Sequence, residues 1–465
     1  MLSINKIKNN QLFRNMKYIV TILFVITTLF THLPFLIYTP IPSFSMDTYD
    51  YFWVAQEIQN GNLPISFPVV EFPVGYSLII YLIKSFGGNL LSVVIVQFIA
   101  YLSSGIFFIL TAYKRSSILG ISAALSMILF SIIPSTVAFN YWLYTESFFT
   151  SILILICACI ISYMGNKTFT KFLFLLVLVL FGITLRSNGL ILLFIPIILV
   201  FVEYYQKKSI RKKVISIFLV VFLPQIILNY VIQEKISFSE SSRINKVISI
   251  MFSEKKLNSL KNTEVKEKQT KKEGRIYMYR KYFSTPFVSK PSYYFSILPV
   301  FYENEVIRKN AFSKKQTIFD TKFNVDTFAP QLKNYMFWNS NYAIFSNSKY
   351  IHQLTYDHQD RNTWMYLSHL SYEVLNKMKI FYILTIFYWL GIFYYCYKLF
   401  RIKEVNLSIL LIGFIHVISF LALPFVHGRF QGRYLQVCDF IVYFISIYFL
   451  LNFVKNYFLH KQKYD

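Results

Sequence analysis

Runs of about 18 or more apolar residues recur along this chain, and each is long enough to cross a bilayer as a helix. Across 465 residues, 55% are hydrophobic, 19% aromatic and only 15% charged. That length could hold two or three soluble domains, but this composition argues against them. The chain reads as an all-α polytopic membrane protein.

Basic residues set the predicted topology. Lys6, Lys8, Arg14 and Lys17 precede an apolar run from Tyr18 to about Leu36. The run is long and no small-residue cleavage site follows, so it reads as a retained first helix rather than a signal peptide. With the N-terminal tract in the cytoplasm, alternation gives about ten transmembrane helices, at 18–38, 89–111, 117–137, 147–164, 170–185, 188–205, 214–232, 380–399, 406–426 and 435–455. Both termini are then cytoplasmic. Every short basic tract falls on the inner side, including Lys114–Arg115, Lys207–Lys213 and Lys398–Lys403. Residues 76–86 are apolar but too short to span, and Gly87-Gly88 ends them, so they are expected to form an external loop helix. Three parts follow: a transmembrane module over 1–232 with its first external loop at 39–88, an extracytoplasmic segment over 233–379, and C-terminal helices over 380–465. The middle segment is itself basic around Lys255–Lys281, which long loops tolerate because they translocate largely regardless of charge.

The net charge of +25 does not make this a nucleic-acid-binding chain, because no recognition motif accompanies it. The Lys and Arg residues flank apolar runs, where they serve topology and contact anionic membrane lipids. Cys157, Cys159, Cys396 and Cys438 all lie in apolar segments, so no disulfide framework is expected.

Against that basic background the stretch Ser45–Tyr81 has no Lys or Arg and carries Asp47, Asp50, Glu57 and Glu71. The topology puts Asp47, Asp50, Glu71, Glu146, Arg186, Arg429 and Arg433 together at the outer face. Charges at helix ends near a bilayer are costly unless solvated, paired or functional, so their convergence predicts a shared cavity. Simpler roles stay open for each. Asp47 suits the N-cap of a helix over 48–59, and Asp50 and Glu57 suit its solvated face. Glu71 suits a loop, Glu146 a first-turn acid favoured by the helix dipole, and Arg186 a helix turn. Arg429 and Arg433 run against the positive-inside bias.

Asp47-x-x-x-Tyr51-x-x-x-Ala55, then Gly61, then Phe72-Pro73-x-Gly75-Tyr76-x-Leu78 with Phe86-Gly87 resembles the first external loop of the GT-C glycosyltransferases. Within that superfamily it is similar to glycosyltransferase family 39, the protein mannosyltransferase and aminoarabinose transferase type. Those enzymes often have a second Pro where this chain has Val74. Tyr-Thr-Glu146-Ser and Arg429-x-x-x-Arg433-Tyr434 also look like features of that family. The resemblance covers roughly 15–235, and the C-terminal helices loosely; it does not extend to the middle segment.

The resemblance implies transfer of a sugar from a polyprenyl-phosphate donor to an acceptor hydroxyl or amine at the outer face, with inversion. Asp47 maps to the base, with Glu146 beside it in the catalytic set. Asp50, Glu71, Tyr76, Arg186, Arg429, Arg433 and Tyr434 map to substrate binding, and Arg433 is the first choice for the lipid phosphate. The residue types suit the chemistry: a carboxylate takes the acceptor proton, and Arg forks onto phosphate oxygens. No cofactor is identified from these residues. A divalent cation, Mg or Mn, between Asp47 and Glu146 stays open, although Asp47-Thr-Tyr-Asp50 departs from the Asp-x-Asp pattern. The acceptor could be a glycan, a lipid or a protein, and the AT-rich composition leans to a bacterial inner membrane. Two alternatives are a flippase or transporter of lipid-linked glycans, which would want polar or broken helices at mid-membrane, and a polymerase of the O-antigen-ligase type. His416 is the exception in otherwise apolar helix centres and is expected to be a packed histidine.

Overall fold

A computed structural model describes residues 2–38, 46–65, 73–205, 210–233, 374–375, 378–401, 406–427 and 437–461. Nearly all of the 233–379 segment therefore lies outside the described residues. Among those described there are helices and turns but no strand. Six helices are long and apolar enough to cross a membrane: Asn15–Pro34, Leu90–Arg115, Thr145–Gly165, Arg211–Ile232, Ile380–Leu399 and Asp439–Tyr457. Four shorter apolar helices accompany them, at Ser117–Ile132, Phe169–Leu185, Gly189–Tyr204 and Leu407–Ser419. The chain is an integral membrane protein.

The N-terminal part runs α1 (Leu2–Tyr38), α2 (Met46–Gln59), α3 (Gly75–Ser85), α4 (Leu90–Arg115), α5 (Ser117–Ile132), α6 (Pro134–Tyr141), α7 (Thr145–Gly165), α8 (Phe169–Leu185) and α9 (Phe194–Tyr205). It continues through α10 (Arg211–Ile217) and α11 (Leu223–Gln233), and the C-terminal part is α12 (Ile380–Arg401), α13 (Leu407–His427) and α14 (Asp439–Lys461). The core forms around α4, α5 and α7. α4 packs along α7, and α5 is flanked by α1, α4 and α14. Lipid tails are as apolar as leucine, so helices associate here by close packing rather than by escape from water. α5 supplies the small residues this needs: Gly120, Ser122, Ala123, Ala124 and Ser126 are all buried. Meanwhile Ile22, Ile26, Phe181, Phe201, Ile227 and Phe393 stay exposed on the helix surfaces, as suits side chains facing acyl chains.

Several joints differ from the sequence expectation, each for a local reason. The helix expected over 117–137 breaks at Ile133, which is extended (φ −69°, ψ 126°) ahead of Pro134. A proline ring disfavours helical backbone in the residue before it, so α5 stops and α6 restarts with the proline in first position. Part of the expected loop 138–147 is therefore helical. The helix expected over 188–205 opens as a 3-10 helix, Ser187–Leu193, before becoming α-helical at Phe194. Between α10 and α11 lies a π-helical turn, Phe218–Phe222, just before Pro224, which cannot donate a backbone bond.

Gly189 explains the 3-10 segment. A Cβ there would stand 2.1 Å from the Gly182 carbonyl oxygen, so only glycine lets the chain fold back against the last turn of α8. Gly189→Ala is expected to cost about 1–3 kcal/mol as an overpacked core does, read as a lower thermal transition of the detergent-solubilised protein.

Candidate functional site

α4 and α7 run parallel, because Gly165 at the end of α7 lies beside the Arg115 side chain at the end of α4. Their N-termini therefore share the other end of the bundle, and the predicted site residues that are described gather there. The connection from α6 enters α7 through Tyr144 in extended conformation, which puts Glu146 in the first turn. α8 ends at Leu185, and Arg186 is extended (φ −148°, ψ 142°) between it and the 3-10 helix. The two side chains meet. Arg186 Nη1 donates to Glu146 Oε1 at 2.7 Å and lies 3.2 Å from Thr145 Oγ1. Thr145 Oγ1 in turn lies 3.3 Å from Glu146 Oε2. The guanidinium stands over the Phe149 ring, 5.8 Å from its centroid.

Glu146 is only 2% exposed and Arg186 7%. Charges this far from water are tolerated only when paired and hydrogen-bonded. Neither residue is a lone dipole acid or a bare turn marker. The planar fork of an arginine fits phosphate oxygens as well as carboxylate ones.

α3 completes this end. Its first residue, Gly75, approaches α8 so closely that a Cβ would lie 2.6 Å from the Thr184 carbonyl, two residues before Arg186. Tyr76 is fully buried and donates to Gln97 Oε1 at 2.5 Å. Its ring meets Tyr51 of α2 edge-on at 5.0 Å and Phe148 at 6.0 Å. Burial holds the Tyr76 hydroxyl well above its ordinary range, with Tyr51 and the nearby negative charge of Glu146 adding to the shift. α2 begins at Met46, so Asp47 lies inside its first turn rather than at its N-cap, one turn before Tyr51; Asp50 immediately precedes Tyr51. The side chains of Asp47 and Asp50 are outside the described set, as are Glu71, Arg429, Arg433 and Tyr434 entirely.

Sequence reasoning passed over the polar residues that brace this end. Gln97 lies in the apolar run of α4 and donates to the Trp142 carbonyl at 2.8 Å. Asn140 Oδ1 accepts from Ser147 Oγ at 2.5 Å, and Asn140 Nδ2 meets His32 Nε2 at 3.1 Å. His32 Nδ1 faces the Thr28 carbonyl at 3.0 Å, so it carries the proton and Nε2 accepts. Asp439, 1% exposed at the start of α14, was also missed. The available signal was a polar residue inside an apolar helix, which is rare without a reason.

A second buried pair occupies the opposite end. Lys213 of α10 bonds to Glu203 of α9, and Tyr163 of α7 donates to the same carboxylate. Glu203 is 1% exposed, and the Lys213 ammonium also lies over the Tyr163 and Phe172 rings at 5.2 and 5.4 Å. His416 packs as expected, with Nδ1 2.8 Å from the Tyr388 hydroxyl.

Among the described residues no three His, Cys, Asp or Glu side chains gather as metal ligands. Glu146, the described half of the candidate Mg or Mn pair, is engaged by Arg186, and the Asp47 side chain lies outside the described set. Comparison with family models, curated proteins and solved structures gives no match.

Proposed function

We propose that the chain is a polyprenyl-phosphate-sugar-dependent glycosyltransferase of GT-C-like architecture. About ten helices cross a bacterial inner membrane, both termini are cytoplasmic, and the reaction takes place at the outer face. The observation that carries the reading is the buried Glu146–Arg186 pair, set at the bundle end where the α2–α3 hairpin of the acidic stretch packs through Tyr51 and Tyr76.

In this reading the acceptor hydroxyl or amine loses its proton to Asp47 as its lone pair bonds to the anomeric carbon. The bond from that carbon to the phosphate oxygen breaks on the opposite face, which inverts the centre. Its electron pair stays with the polyprenyl phosphate, whose added charge Arg186 stabilises, with Arg429 and Arg433 as further phosphate ligands. Tyr434, Asp50 and Glu71 contact substrate, Tyr76 packs α3 against the site, and Glu146 holds Arg186 ready.

The test compares wild type with Asp47→Asn for transfer from radiolabelled polyprenyl-phosphate hexoses. Loss of a general base lowers turnover by about 10²–10⁴-fold, and donor binding is expected to persist. Undiminished transfer by Asp47→Asn removes Asp47 as the base. A wild type that binds lipid-linked sugar yet transfers none moves the flippase reading ahead.

A further inference from the structure

Two parts of the candidate site arrive from distant stretches of sequence, α3 with Tyr76 and the turn from Asn140 to Glu146, and a single side chain touches both. Gln97 is fully buried. Its Oε1 accepts from the Tyr76 hydroxyl at 2.5 Å, and its Nε2 donates to the Trp142 carbonyl at 2.8 Å, with the Asn140 carbonyl at 3.5 Å. These partners fix the amide's orientation, since carbonyls accept only. The Trp142 carbonyl also receives the Tyr144 N–H at 2.9 Å, so Gln97 grips the atom that closes the turn ahead of Glu146. The turn's other anchor is Asn140, held between Ser147 and His32. Tyr76 leans on Tyr51, one turn beyond Asp47. Thus one amide couples the helix pair bearing Asp47 to the turn bearing Glu146 and, through it, Arg186.

We propose that Gln97 is a positioning residue of the transfer site: it holds α3 and the Trp142–Glu146 turn in mutual register, so that the base and the phosphate-binding arginine face one substrate. This rests on the transferase reading. Gln97 touches no substrate; it acts through Tyr76 and the Trp142 carbonyl. A small displacement of reacting groups costs rate far more than binding, and that sets its signature.

The experiment measures kcat and donor KM for wild type, Gln97→Met, Tyr76→Phe and the double variant, using the radiolabelled polyprenyl-phosphate hexose that wild type turns over fastest. Each single change is expected to lower kcat about 10- to 100-fold while KM moves less than about threefold, and the double variant is expected to be no worse than the worse single one, because both break the same link. Gln97→Glu, which as the neutral acid both donates to Trp142 and accepts from Tyr76, is expected to restore most of the turnover. Should Gln97→Met fail to fold, Tyr76→Phe and Gln97→Glu carry the same criteria. Wild-type kcat in Gln97→Met or Tyr76→Phe, losses that multiply in the double variant, or a Gln97→Glu as slow as Gln97→Met overturns the positioning role and leaves the transferase reading standing. A wild type that transfers no sugar overturns the transferase reading, and this role falls with it.

Discussion

Arg186→Met is expected to destabilise the protein by about 3–5 kcal/mol, because it removes the cation 2.7 Å from the buried Glu146 carboxylate. Glu146 is 2% exposed, and its cationic partner is the Arg186 guanidinium at 2.7 Å. The Thr145 hydroxyl cannot replace a positive charge. Pairing Arg186→Met with Glu146→Leu is expected to recover most of that stability, since a buried ion pair exchanged for apolar groups of similar size is close to neutral. The same double variant is expected to lose most of its sugar transfer, because the phosphate loses Arg186 from among its arginines. Stability and activity therefore separate within one set of variants, read by thermal unfolding in detergent and by turnover. If the double variant stays as unstable as Arg186→Met, the pair is not the source of the loss.

Glu203 and Lys213 make the same physical demand at the other end of the bundle and predict a different outcome. Lys213→Met leaves Glu203, 1% exposed, with the Tyr163 hydroxyl as its neighbour. The expected cost is again about 3–5 kcal/mol, with the loosening concentrated where α7, α9 and α10 meet. Because this cluster and the Glu146–Arg186 pair lie at opposite ends of α7, kcat per folded molecule is expected to stay within about twofold of wild type. A large fall in kcat without loss of stability would mean that this cluster serves the reaction itself.

The long apolar runs made the helices legible in the sequence. Helices expected at 89–111, 147–164, 170–185 and 76–86 are found at Leu90–Arg115, Thr145–Gly165, Phe169–Leu185 and Gly75–Ser85. Hydropathy is a local signal, and it located them well. Joints were less legible, because the 3-10 turn at Ser187 depends on how closely Gly189 approaches Gly182, a contact no window of sequence reveals. Pro134 and Pro224 did carry a signal, since each marks a place where regular α-helix cannot run undisturbed. At the site, alternation along the chain put Glu146 and Arg186 on the same face; that they are each other's partner, from separate helices, is a tertiary fact. Gln97, Asn140 and His32 were hidden by their apolar neighbours. Their importance comes from the hydrogen bonds they make to distant backbone and side chains, not from any motif.

The most direct test of the central claim is release of free polyprenyl phosphate and labelled product from radiolabelled polyprenyl-phosphate hexoses, with purified wild type beside the folded Glu146→Leu, Arg186→Met protein. Transfer by wild type and loss of most of it in the double variant is the expected result. A wild type that binds these donors and releases nothing, or a double variant that transfers as fast as wild type, would contradict it.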